Sequence, residues 1–200
     1  HDETYNKDAI TIVCIGQNTS DTIHVEPAGT LPELVGDKEA IVNLTLTGYL
    51  NGTDIKFIRS LTNLQRLDIS GARIVEGGDK YYENYLTADD VTGDYMFYNL
   101  PNLTRLVLSN HTTEIAPAAL NSCTGLTEME IPASVKSVGK AVFNGCNQLL
   151  LIDWNAQATI TAESFDTPAK MGNLLIFAPE GAECTYEGNV AVSYTHLRAH

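Results

Sequence analysis

The chain has 200 residues, 44% hydrophobic and 18% charged, which suits a folded chain of one or two domains and excludes a disordered one. Its formal net charge of −13 would repel a nucleic-acid backbone and an anionic lipid surface, so neither is expected as a partner. No apolar run approaches the ~18–20 residues that span a bilayer; the longest, Ile10-Thr11-Ile12-Val13-Cys14-Ile15, has strand length.

In chain order, residues 1–19 read as an N-terminal strand or linker. His1 is neither an initiator methionine nor the start of a signal peptide, so the chain is expected to be processed or cut from a longer one. Residues 20–40 read as an N-terminal cap, with a helix start at Thr30-Leu31-Pro32-Glu33, where Thr30 can cap and Glu33 follows three residues later.

From 41 to 190 the pattern L-x-x-L-x-L recurs, as Ile41/Leu44/Leu46, Leu64/Leu67/Ile69, Leu103/Leu106/Leu108, Leu126/Met129/Ile131, Leu149/Ile152/Trp154 and Met171/Leu174/Ile176. The last two positions of each set are two apart, the period of a strand with one buried face. The later copies are nearly identical: Phe97-Tyr98-Asn99-Leu100-Pro101-Asn102-Leu103, Leu120-Asn121-Ser122-Cys123-Thr124-Gly125-Leu126 and Phe143-Asn144-Gly145-Cys146-Asn147-Gln148-Leu149 begin 23 residues apart, and a fourth opens 22 later at Phe165. A period of that size means stacked coils, because one coil cannot bury its own apolar face. After the later strands come a turn and one inward aliphatic, Ile115, Val138 or Ile160. A stretch such as Ala116–Asn121 or Lys140–Asn144 then has room for one helical turn.

One coil is longer. Leu64 to Leu103 spans 39 residues, 16 more than the usual 23, and the insertion is expected at roughly Val75–Met96. It carries Tyr81, Tyr82, Tyr85 and Tyr95 among Glu76, Asp79, Glu83, Asp89, Asp90 and Asp94, with Lys80 alone in opposition. Loops on a rigid scaffold often carry binding function, and tyrosines give large contact area at low entropic cost. Three readings stand: packing cover for the coil, recognition of protein or glycan, and Ca²⁺ binding, although the carboxylate spacing matches no EF-hand loop.

Residues alternating with the buried strand positions form two outward columns. One reads Asn43, Arg66, Arg105, Glu128, Leu151, Asn173; the other reads Thr45, Asp68, Val107, Glu130, Asp153, Leu175. The face starts mixed, turns acidic and ends apolar. Arg66, Asp68, Arg105, Glu128, Glu130 and Asp153 are its candidate binding residues, against the plainer reading of a solvated face.

Cys123 and Cys146 fill the same slot on successive coils, about one strand spacing (~4.8 Å) apart. That is within disulfide range, but buried free thiols are the favoured reading. Cys14 and Cys184 lie near opposite ends of the chain, and no ligand spacing suggests zinc. Val192-Ser193-Tyr194-Thr195-His196-Leu197-Arg198-Ala199-His200 resembles the translated end of a transposase sequencing adapter. Residues 191–200 are therefore expected to be a non-native tail, with the natural chain continuing past Val190. With the tail and His1 set aside, His24 and His111 remain, and neither sits in a nucleophile elbow, a metal-ligand pair or a phosphate loop. No catalytic residue, metal or cofactor is expected.

Ile131-Pro132-Ala133-Ser134-Val135-Lys136-Ser137-Val138-Gly139-Lys140-Ala141-Val142-Phe143-Asn144-Gly145-Cys146 resembles the unit of BspA-like leucine-rich repeats, IPxSVxxIGxxAFxxC. The stretches Leu44–Ile55 and Leu67–Ser70 are similar to Bacteroides-type members, and Ile176-Phe177-Ala178-Pro179-Glu180-Gly181 resembles the closing VPxG cap. The likeness covers about residues 20–190, although Asp166-Thr167-Pro168 replaces the Asn-x-Cys element in the fourth late unit. It implies an α/β leucine-rich-repeat solenoid of about six coils, with a parallel β ladder on one face and turns or short helical segments on the other. It also implies an extracellular or cell-surface adhesion module that binds host-matrix or other cell-surface protein, with a structural spacer or a carbohydrate-binding accessory as alternatives. Five N-x-S/T sequons (Asn18, Asn43, Asn51, Asn102, Asn110) carry no meaning in a bacterial protein of this kind. Asp21-Thr22-Ile23 resembles the O-glycosylation tripeptide of Bacteroides-type bacteria.

Overall fold

The computed structural model describes residues 20–165, 174–182 and 191–193. Cys14, Cys184, Met171, Asn173, the Asp166–Pro168 element and the tail beyond Ser193 lie outside the described residues. In chain order the strands are β1 (Ser20–Val25), β2 (Asn43–Leu50), β3 (Arg66–Ile74), β4 (Gly77–Tyr82), β5 (Tyr85–Thr87), β6 (Val91–Thr92) and β7 (Arg105–Val107). They continue as β8 (Glu114–Ile115), β9 (Glu128–Ile131), β10 (Ser137–Val138), β11 (Leu151–Trp154), β12 (Leu175–Phe177) and β13 (Ala191–Ser193). Two short helices, α1 (Leu31–Leu34) and α2 (Gly52–Arg59), lie in the first two coils.

Among the described residues, eight strands form one ladder in the order β1-β2-β3-β7-β9-β11-β12-β13, every neighbouring pair parallel. One acceptor slot repeats through the coils. The Val42 carbonyl takes the amides of Gln65 and Arg66, that of Gln65 takes Thr104 and Arg105, and that of Thr104 takes Thr127 and Glu128. Inward residues in register, such as Leu67, Leu106, Met129, Ile152 and Ile176, stack into one continuous buried column. Phe97, Leu120, Phe143 and Phe165 fill the opposite side, and the last two rings stack with centroids 5.0 Å apart.

A second, three-stranded parallel ladder, β6-β8-β10, runs along another edge of the coils. The remaining edge turns through two left-handed slots per coil. Tyr95, Ala118 and Ala141 occupy one (φ 53°, 55° and 56°), and Asn99, Ser122 and Gly145 the other (φ 55°, 64° and 76°). A left-handed conformation costs a side-chain-bearing residue roughly 1–2 kcal/mol. Hydrogen bonds between coils offset it: the Ala118 amide donates to Lys140 O, Ser122 to Asn144 O and Ala141 to Glu163 O. The stack, rather than local propensity, holds these turns.

Several expectations need correction. The ladder has eight described strands rather than about six, because Ser20–Val25 and Ala191–Ser193 each add one. Ser20 pairs with Asn43 at the same 23-residue interval as later coils, so the segment read as a cap already contributes a strand. Thr30 precedes α1, yet its hydroxyl donates to Pro27 O instead of capping. The amide of Leu31 donates to the distant Asp54 carboxylate. The last coil is shifted by two residues: Ile176 faces Ile152, not Trp154, so Leu175 follows Leu151 and Phe177 follows Asp153 in the outward columns. A two-residue shift keeps the same face buried, and the apolar pattern alone therefore could not reveal it. Finally, regular slots resume at Val91, where β6 aligns with β8, so the extra residues end before Val91 and Tyr95 is an ordinary coil position.

Candidate functional site

The ladder positions six of the candidate residues on one face. Arg66, Arg105 and Glu128 are successive members of one column; Asp68, Glu130 and Asp153 belong to the other, with Val107 between the first two. Arg66 is exposed and the other five are half-buried. The column is less charged than its residue types suggest, because the Arg105 guanidinium donates to the Glu128 carboxylate in an ion pair. Asp68 accepts the Ser70 amide at 2.8 Å, and Asn155 donates its side-chain amide to Glu130 at 3.2 Å. Arg66 enters no ion pair among the described residues. It borders an open depression of about 420 Å³ together with Asn43, Thr45, Asp68, Arg105 and Val107. Toward the C-terminal end, Leu151, Leu175 and Phe177 remain half-exposed and the neighbouring Leu150 is 58% exposed. The face thus runs from mixed charge, where Arg66 stands beside Asp68, through acidic to apolar.

The insertion is a hairpin of β4 and β5, antiparallel and closed by the Tyr82–Tyr85 pair. It docks on α2 so closely that a Cβ on Gly52 would stand 1.8 Å from Asp79 O, which only glycine permits. Tyr81 departs from the expected recognition role. It is buried, its hydroxyl donates to Asp94 O at 2.7 Å, and burial, then the Asp94 charge, raises its pKa. Tyr82, Tyr85 and Tyr95 are half-exposed and share a cluster with Tyr98, which lies just past the insertion and was not expected to join it.

Arg59, likewise not foreseen, organises this cluster. Its Nη1 donates to the carbonyls of Tyr95, Met96 and Tyr98 at 3.0–3.1 Å, and its guanidinium lies 4.6 Å from the Tyr82 ring centroid. Its 39-residue spacing from Tyr98 equals the lengthened coil from Leu64 to Leu103, so the two stand at equivalent positions of successive coils, but neither residue type recurs there in the other coils. The acidic residues do not converge: among the described residues no three His, Cys, Asp or Glu could hold one metal ion. Asp79 pairs with Lys56, and Asp90 with Arg73.

Cys123 and Cys146 are buried free thiols in equivalent slots, donating to Phe97 O at 3.0 Å and Leu120 O at 3.3 Å. Burial pushes the Cys123 thiol up to about 11 from 9.0. In a Cys14→Ser/Cys184→Ser background, thiol reagent at pH 8 is expected to leave both residues unlabelled until denaturant is added; labelling of the folded chain would contradict the burial. The raised value also sets a sign. The unfolded thiol ionises near 9.0 while the folded one resists until about 11, so its stabilising contribution is present below pH 9.0 and lost as pH rises through that window. The His24 ring bonds to the Thr47 hydroxyl and the Glu26 carboxylate on the exposed surface of β1 and β2, and the His111 backbone amide donates to the Ser109 hydroxyl.

A stacked series of parallel strands with an L-x-x-L-x-L core defines a leucine-rich-repeat solenoid. Residues 90–191 match the family model described as a BspA type leucine rich repeat region (6 copies), and the chain belongs to that family. A comparison with curated proteins finds no match. Regions of this family generally serve as protein-interaction modules, are commonly surface-associated and are typically non-catalytic. No helix among the described residues is long and apolar enough to cross a membrane.

Proposed function

We propose that the chain is an extracellular or cell-surface adhesion module that captures a host-matrix or other cell-surface protein on the outward face of its ladder. The supporting observation is the zoned face itself, in which Arg66 borders an open depression while acidic and then apolar residues follow along the same columns. Such zoning fixes the register of a partner, since each charge favours its complement and repels its like. Origin in a Bacteroides-type bacterium accords with the repeat spelling and belongs to the same proposal.

The test is capture by arrayed extracellular-matrix proteins, comparing the chain with an Arg66→Glu variant. Arg66 is exposed and makes no ion pair among the described residues, so its reversal should leave melting unchanged while weakening capture about tenfold or more. Unchanged capture would remove this face as the site. A folded protein that captures nothing on the array would instead be a spacer for a neighbouring domain.

A further inference from the structure

The hairpin brings Tyr82 and Tyr85 against Tyr95 and Tyr98, two residues of the coil turn behind it. Their contacting ring centroids lie 5.4–6.5 Å apart, and Tyr82 and Tyr85 are within 6° of parallel. All four rings are half-exposed, so the cluster is a surface patch rather than part of the core. From the inside it already carries one cation, the Arg59 guanidinium over Tyr82.

Two carboxylates border the patch, while the exposed Lys80 ammonium is engaged by Asn84 in the hairpin turn. Glu83 at the hairpin turn is exposed, Asp94 is half-buried, and neither forms an ion pair among the described residues. Glu83 lies in the turn between Tyr82 and Tyr85, and Asp94 adjoins Tyr95; partial desolvation, then Tyr95, and then these two carboxylates raise the pKa of the Tyr85 hydroxyl.

We propose that this patch is a second recognition site, which takes arginine or lysine side chains of a basic peptide segment onto the rings of Tyr85 and Tyr95 while Glu83 and Asp94 complement the charge. Aromatic faces attract cations through their quadrupole, and Arg59 on Tyr82 shows the same chemistry within this chain. The two carboxylates add attraction for a cationic partner, and a net charge of −13 draws such a segment toward the molecule. A neutral sugar would stack on the rings but would draw nothing from these charges, so the electrostatics favour a basic peptide. The patch shares no residue with the ladder face, and each site can fail without the other.

The test is titration of the full chain with a labelled octa-arginine peptide near physiological salt, in parallel with a neutral gluco-oligosaccharide. The peptide is expected to bind, Tyr85→Ala to weaken it about tenfold, and Tyr85→Phe to retain it. Added salt should weaken it further. Equal binding by the parent chain and Tyr85→Ala would reduce the effect to general attraction by an acidic protein and overturn the site. Tyr85-dependent retention of the oligosaccharide without peptide binding would overturn it in favour of a glycan. Should Tyr85→Ala fail to fold, Glu83→Gln with Asp94→Asn decides, because these changes remove charge with little packing. Unchanged peptide affinity in that double variant would equally refute the proposal.

Discussion

Asp54→Ala is expected to destabilise the protein by about 3–5 kcal/mol, a large effect for a single polar substitution. The side chain is wholly buried. Its Oδ2 accepts the amides of Gly29 at 2.6 Å and Asn51 at 2.9 Å, and its Oδ1 accepts that of Leu31 at 2.9 Å. One carboxylate thus completes the capping box of α2 and supplies α1, one coil away, with the acceptor that Thr30 does not provide. Alanine would leave three donors without their partner, each costing ~1–3 kcal/mol if water cannot reach it. Asp54→Asn should recover part of the loss, because the amide oxygen can still accept from Gly29 and Asn51 while its NH2 would face the Leu31 donor. The expected readouts are a melting temperature lower by about 6–20 °C and faster hydrogen exchange at the Gly29, Leu31 and Asn51 amides. An unchanged melting temperature would show that the first two coils hold together without this clamp.

Arg59→Ala should cost about 2–4 kcal/mol and act on the insertion rather than the ladder. Three carbonyls would lose their shared donor and Tyr82 would lose the cation beneath it. Arg59→Lys should rescue only part of this loss, since an ammonium lacks the flat guanidinium that stacks on a ring. Lys80, exposed on β4, provides the probe: trypsin cleavage there should accelerate about tenfold or more in Arg59→Ala as the hairpin loosens. Cleavage at the parental rate would mean that contacts with Gly52 and Tyr81 suffice to hold it.

These two residues also mark where sequence reasoning stops. Leu103, Leu106 and Leu108 declare their roles because the same spacing returns at Leu126, Met129 and Ile131, and repetition makes a weak pattern decisive. Asp54 and Arg59 occur once each. The capping relation of Asn51 to Asp54 is a local signal for α2, but nothing nearby announces that the same carboxylate reaches Gly29 and Leu31. Tyr81 and Tyr82 are adjacent and chemically identical, yet strand alternation buries the first and leaves the second half-exposed. Their roles depend on which face of the hairpin meets α2.

The outward columns divide in the same way. The 23-residue interval correctly aligns Arg66 with Arg105 through to Glu128 once the insertion is set aside. It misplaces Leu175 because a shift of two residues leaves the buried face unchanged. Charge also looks different in the sequence, where Arg105 and Glu128 are separate candidates, than in the fold, where they neutralise each other.

By itself, the sequence determined the solenoid, its coil length, the buried positions and the thiol slots, because each is imposed again in every coil and a repeated constraint survives local ambiguity. Tertiary structure alone decided which carboxylate clamps the first coils, which tyrosines reach the surface and where the final coil pairs. Those outcomes rest on residues that occur in one coil only, so even where the partner lies one coil away, as Leu31 does from Asp54, no repetition singles the contact out.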